Sequence, residues 1–152
     1  MPTFSKTIEI KSKEQFDIVD LTDKIKSFTA ESGIKNGLIN IQSLHTTAAV
    51  FVQENEPLLL KDIRKFLERI VPQNINYNHD DFAQRTVNLC ADECRNGHSH
   101  CKALNLPTSV TLNLIDNKVQ LGTWQKILFI ELDRSRDRKI QIQILGELDS
   151  SF

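Results

Sequence analysis

Apolar residues fall at even positions through Phe4-Ser5-Lys6-Thr7-Ile8-Glu9-Ile10, which is the period of a half-buried strand. The rhythm then lengthens. Leu21, Ile25 and Phe28 recur at helical spacing behind Asp20, which can cap the first turn, and Gly33 supplies a left-handed stop. After Gly37, residues 38–44 and 48–52 form apolar, β-branched runs separated by His45-Thr46-Thr47, so they read as successive strands or one bent strand. Asn55-Glu56-Pro57 has the form of a helix start, because proline tolerates the first helical position and an acidic residue complements the exposed N–H groups. Leu59, Ile63, Phe66, Leu67 and Ile70 give that helix its buried stripe, and Pro72 ends it at a polar loop over 73–81 that carries Tyr77, His79, Asp80 and Asp81.

Leu89, Cys90 and Cys94, with few strand formers around them, predict a further helix over 82–96, stopped at Asn96-Gly97. The last third is rich in strand formers: 110–115, 119–121, 126–132 and 139–145 are joined by short polar breaks, and Asp116-Asn117 suits a hairpin turn. Ile140-Gln141-Ile142-Gln143-Ile144 has one apolar and one polar face, which suits a sheet covered on one side by helices or by another subunit. The class expected is α+β, a mostly antiparallel sheet with flanking helices.

The chain has 152 residues, 39% hydrophobic and 26% charged, which fits a single domain over 1–152. No repeat, low-complexity tract or charge block marks a second one. A net charge of -1 argues against nucleic acid or an anionic membrane as the main partner. The start lacks the basic-then-apolar form of a signal peptide, no apolar run approaches the roughly 18 residues of a membrane span, and a cytoplasmic location is expected. Cys90, Cys94 and Cys101 are an odd set in a chain able to build its own core, so reduced thiols are expected. Cys90 and Cys94, four apart, can share a helix face as zinc or redox partners or as small buried hydrophobes, and Cys101 can line a pocket.

The four histidines, His45, His79, His98 and His100, all fall at breaks between elements, where sites are usually built. On extended backbone His98-x-His100 would present two imidazoles to one divalent metal, zinc or magnesium, with His45 or a carboxylate as third ligand and a position left open. Hydrogen-bonding loop histidines are the alternative. Arg134, Arg136 and Arg138 alternate, so they can form a phosphate-binding row or a solvated charged edge. In Leu121-Gly122-Thr123-Trp124-Gln125 the lone tryptophan can serve a pocket, an interface or the core.

The ordered series His45-Thr46-Thr47, Asn55-Glu56, Tyr77 with His79-Asp80, Asn96-Gly97-His98-Ser99-His100, Leu121-Gly122-Thr123-Trp124-Gln125 and Glu131, Asp133, Arg136 and Arg138 before Gly146 resembles the YjbQ family. Members of that family are ascribed a secondary thiamine-phosphate synthase activity. The resemblance implies a compact homotrimer whose motif residues gather in a cleft near the subunit boundary. It also implies a small phosphorylated substrate: a pyrimidine diphosphate is joined to a thiazole phosphate and diphosphate leaves. On that pattern His45, His98 and His100 would hold the metal or meet phosphate, with His45 and His98 catalytic. Glu56 or Asp80 would orient a histidine, Thr46 and Thr47 would donate hydroxyls, Trp124 and Gln125 would line the substrate, and Arg136 and Arg138 would stabilise diphosphate. The chain departs from the family in three places: Asn117 replaces a hairpin glycine, Arg134-Ser135 replace a Gly-Pro, and 104–113 lacks the family glycine and shifts Pro107. A metal-assisted hydrolase and a non-catalytic trimer binding an anionic ligand remain as alternatives from the same residues.

Overall fold

Long alternation gives long strands in the computed structural model, which describes residues 1–149. In chain order the elements are β1 (Thr3–Lys11), β2 (Ile18–Asp20), α1 (Thr22–Glu31), β3 (Ile34–Ser43), β4 (Ala48–Gln53), α2 (Pro57–Ile70), a single 3₁₀ turn at Asn78–Asp80, α3 (Gly97–Ala103), β5 (Ser109–Ile115), β6 (Lys118–Val119), β7 (Lys126–Glu131) and β8 (Asp137–Leu148). The strands form two sheets, ordered β1-β8-β3-β5-β6 and β2-β7-β4, with every pairing antiparallel.

The isoleucines of the larger sheet, Ile39, Ile41, Ile140, Ile142 and Ile144 among them, meet Val50, Ile127 and Phe129 of the smaller one, and Leu21, just before α1, and Ile25 within it close the core. Each such burial is worth roughly 1.5–3 kcal/mol. On the reverse face of the smaller sheet, Phe51, Leu128 and Ile130 pack with Leu67 of α2. A strand covered on both faces needs apolar residues at every position, which explains the unbroken run in β7. The fold is therefore α+β in three layers, sheet on sheet on helix. The apolar face of β8 is covered by a second sheet, not by the helices or neighbouring subunit its pattern suggested.

Local chemistry sets the ends of the elements. Glu56 caps α2, accepting from the N–H groups of Leu58 (2.8 Å) and Leu59 (2.7 Å), and Pro57 opens the helix. Asp116 and Asn117 have φ of 50° and 59° and join β5 to β6, so asparagine serves where the family pattern has glycine. Gly37 of β3 lies opposite Gly146 of β8, and a Cβ on Gly37 would sit 2.0 Å from the Leu145 carbonyl oxygen. The predicted helix over 82–96 does not form. Phe82, Val87 and Leu89 are exposed, so no apolar stripe has a layer to cover, and Asp81 takes the N–H groups of Ala83 and Gln84 into a turn. Among the described residues no helix is long and apolar enough to cross a membrane.

Candidate functional site

The chain passes from the larger sheet to the smaller between β3 and β4 and returns between β7 and β8. The two crossings lie side by side, joined by the Leu132 N–H to the Thr47 carbonyl (3.1 Å) and the Leu44 N–H to the Lys139 carbonyl (3.2 Å). A cleft of about 840 Å³ opens over them, lined from the first crossing by His45, Thr46 and Thr47 and from the second by Arg136 and Arg138. The Lys139 backbone N–H can only donate, and it meets His45 Nε2 at 2.6 Å. The ring is thus the tautomer with its proton on Nδ1. Burial, then the Arg138 charge beside it, pushes His45 below the ordinary histidine pKa, so the neutral ring persists.

Arg138 is 5% exposed and rests on Glu131, which is wholly buried. Its Nε donates to Glu131 Oε2 (2.6 Å), and its Nη2 reaches both Glu131 Oε1 and, at 2.9 Å, Thr47 Oγ1. The carboxylate also accepts from Ser12 Oγ (2.8 Å) and from the Asp133 N–H (2.9 Å). Among the described residues the third guanidinium nitrogen, Nη1, has no protein partner. Arg136 is tied to Asp133 (2.8 Å) and Arg134 to Asp92 (2.8 Å). The three arginines therefore do not form one row: Arg138 is a buried donor held by Glu131, Arg136 a partly buried wall, and Arg134 a clamp on the loop before α3.

That loop makes the far wall. Arg85 gathers it, donating to the carbonyls of Asn88 (2.7 Å), Val87 (3.3 Å) and His79 (3.4 Å) and pairing with Glu93 (3.4 Å). The rings of His79 and His100 stand 4.5 Å apart at 58°, both on the cleft, and the buried His79 Nε2 has no protein partner. Burial, then His79, lowers the pKa of His100.

His98 lies elsewhere. Asp80 Oδ1 accepts from the N–H groups of Asn96 (2.9 Å) and Gly97 (2.8 Å), which starts α3 at Gly97 and makes 98–100 helical, not extended. Residues two apart on a helix point about 200° apart, so His98 faces away from His100. It is 4% exposed and takes a hydrogen bond on Nε2 from Gln15 Nε2 (2.9 Å), which also donates to the Leu132 carbonyl (3.0 Å). Burial, then Lys102, lowers its pKa. His98 and Asp80 line a second cavity of about 840 Å³ with Tyr77 and Arg95.

The expected ligand set of His45, His98 and His100 therefore does not converge on one metal: His45 and His100 line the cleft while His98 lines the other cavity, and the Nε2 atoms of His45 and His98 already accept protein hydrogen bonds. Among the described residues no group of three or more His, Cys, Asp or Glu side chains is gathered to hold an ion. Glu56 orients no histidine, because both its oxygens cap α2. Asp80 likewise serves as a helix-start acceptor. Trp124 is 70% exposed and lines neither cavity, and Gln125 folds back to accept from the Gly122 N–H (2.8 Å). Glu131 and His79 stand in the motif series with no role assigned to them, and Arg85 is passed over altogether. A lone carboxylate in the apolar run 127–132 is the signal for the first, since a buried charge requires a partner.

Comparison with known proteins agrees with the motif series. The sequence profile of the family "UPF0047 protein YjbQ-like" matches residues 6–147. A UPF0047 protein from Methanothermobacter thermautotrophicus is 33% identical over 147 residues, 97% of this chain and 95% of that protein. The UPF0047 protein YugU of Bacillus subtilis is 29% identical over 142 residues, 93% and 98% of the two chains. Among solved structures, a YbjQ-like protein of unknown function from Sulfolobus solfataricus superposes with a TM-score of 0.83 at 33% identity, covering 95% of this chain and 98% of that one. A hypothetical protein from Aeropyrum pernix follows at 0.82 and 29%, covering 95% and 99%.

Proposed function

The chain belongs to the YjbQ family, and from that premise we propose that its cleft binds a small phosphorylated molecule and catalyses thiamine-phosphate synthase chemistry, joining a pyrimidine diphosphate to a thiazole phosphate. One observation carries the reading: Arg138, almost wholly buried and locked on Glu131, keeps one guanidinium nitrogen without a protein partner on the cleft that His45, Thr46 and His100 also line.

The reaction needs little acid or base. The bond between the pyrimidine methylene carbon and the diphosphate oxygen breaks with its electron pair leaving on oxygen, and the thiazole nitrogen gives its lone pair to the carbon. What must be stabilised is the charge growing on diphosphate. Arg138 Nη1 and the Nδ1–H of neutral His45 are fixed donors for it, and Thr46 offers a hydroxyl. Fixed dipoles cost no reorganisation as the bond breaks. No step is assigned to a divalent metal, because the donor set does not gather one. The family resemblance extends the proposal to a homotrimer in the cytoplasm, and the three unpaired cysteines suit a reducing compartment.

The test is product formation from the two phosphorylated substrates, with and without magnesium or a chelator. The wild type is expected to make thiamine phosphate and Arg138→Lys to lose about 10²–10³-fold, as when one charge-stabilising donor is removed. Absence of product from wild type in every condition would end the synthase reading. Phosphate release from the pyrimidine diphosphate alone would mark a hydrolase, and a ligand that raises the melting temperature yet returns unaltered would mark a binding module.

A further inference from the structure

The Glu131–Arg138 pair is poorly explained by stability. Replacing a buried ion pair with well-packed apolar side chains is often neutral or stabilising, and Glu131 interrupts a run, Ile127 to Leu132, whose neighbours are otherwise fully buried hydrophobes. Its geometry suggests a different use. Glu131 grips Arg138 side-on through Nε and Nη2, so the opposite corner of the planar guanidinium, Nη1, is the one left over. Thr47 Oγ1 takes the remaining Nη2 hydrogen, and Ser12 Oγ and the Asp133 N–H hold the carboxylate from behind. Every freedom by which the guanidinium could turn is thereby used.

We infer that Glu131, which lines no part of the cleft, is the positioning residue that aims Arg138 Nη1 at a phosphoryl oxygen, with Ser12 and Thr47 as the latches on either side of the pair. This rests on the reading of the cleft as a phosphoryl site and goes beyond it by naming what sets the donor's direction. Glu131 touches no ligand. It acts by preorganisation: a freely rotating arginine would have to lose its rotamer freedom on binding, whereas this one has already lost it on folding.

The experiment uses inorganic pyrophosphate as probe, titrated calorimetrically into the wild type, Glu131→Gln and Ser12→Ala, alongside nitrogen-15 spectra of the arginine side chains without ligand. In the wild type the two Nη groups of Arg138 are expected as separate lines, the signature of a guanidinium that does not rotate. Glu131→Gln is expected to merge them and weaken pyrophosphate at least tenfold. Ser12→Ala, which keeps both charges but also takes the acceptor from the Arg136 N–H, is expected to broaden them, weaken binding about threefold and lower the melting temperature modestly; the broadened Nη lines are the readout that a merely structural role would not move. If Glu131→Gln does not fold, Ser12→Ala decides. Folded variants that bind within the error of the wild type, or merged Nη lines in the wild type itself, overturn the inference. If the wild type binds no pyrophosphate, the phosphoryl-site reading fails by itself, and the Nη lines alone decide whether Glu131 locks Arg138.

Discussion

Between 126 and 148 the chain runs through two strands whose backbone groups pair with neighbours residue by residue. Between 71 and 96 it makes one 3₁₀ turn and closes its backbone bonds in short local turns and on the side chains of Asp80, Asp81 and Arg85. The cleft lies where these regions meet. One wall is anchored in a core of fully buried isoleucines, and the other hangs on polar contacts at the surface. Strands β7 and β8 can hold a donor in place, while the loop can yield to a ligand, since local opening is easiest where few apolar contacts are buried.

The contrast should break most strongly at Arg138. Arg138→Ala leaves the Glu131 carboxylate buried without its cation, and a loss of about 3–5 kcal/mol is expected in urea unfolding. Phe129→Ala, in the core between the sheets, is expected to cost a comparable ~3–5 kcal/mol. An effect below about 1 kcal/mol in both would mean that this region is no more firmly held than the loop.

Asp80→Ala sharpens the comparison from the other side. Removing the acceptor of two helix-start N–H groups is expected to cost ~1–2 kcal/mol. Native-state hydrogen exchange should quicken in 96–103 and stay unchanged in β8. Equal acceleration in both would show one cooperative unit in place of two.

Acid gives a smaller, graded effect. His45 faces Arg138, Glu131 and Lys139; His98 faces Lys102, Asp80, Asp133 and Glu68; His100 faces His79, Asp133, Arg85 and Glu93. All three have a lowered pKa, burial being the first cause. A base with a lower pKa folded than unfolded contributes no penalty above the unfolded value, roughly 6.5. As pH falls below it, the unfolded chain binds protons that the fold refuses, and stability declines. The melting temperature should therefore be lower at pH 5.5 than at 7.5; the reverse order would contradict the neutral, hydrogen-bonded rings described here. The smallest effect belongs to Trp124→Ala, exposed and outside the lining of the cleft, with a stability change within about 0.5 kcal/mol.

The same contrast governs what the sequence reveals. The alternation in Ile140-Gln141-Ile142-Gln143-Ile144 marks β8 directly, and Asp116-Asn117 marks the hairpin, because in both cases a local pattern and the tertiary outcome agree. The segment 82–96 misleads because Leu89, Cys90 and Cys94 mimic a helical stripe, although the fold supplies no surface for that stripe to cover. His98 and His100 mislead for a related reason. Their relation turns on whether Asp80, sixteen residues before Asn96, starts a helix there. His45, Thr46, Thr47, Arg136 and Arg138 do meet on one cleft, as the motif series suggests, while the role of Glu131 depends on how the second sheet crossing folds back, which no local pattern encodes.

The most direct measurement is a crystal structure of the protein soaked in pyrophosphate. A phosphoryl group within about 3 Å of Arg138 Nη1, with His45 Nδ1 as a second donor, is the expected result. Pyrophosphate held in the other cavity, beside His98 and Arg95, with Arg138 untouched, would contradict it.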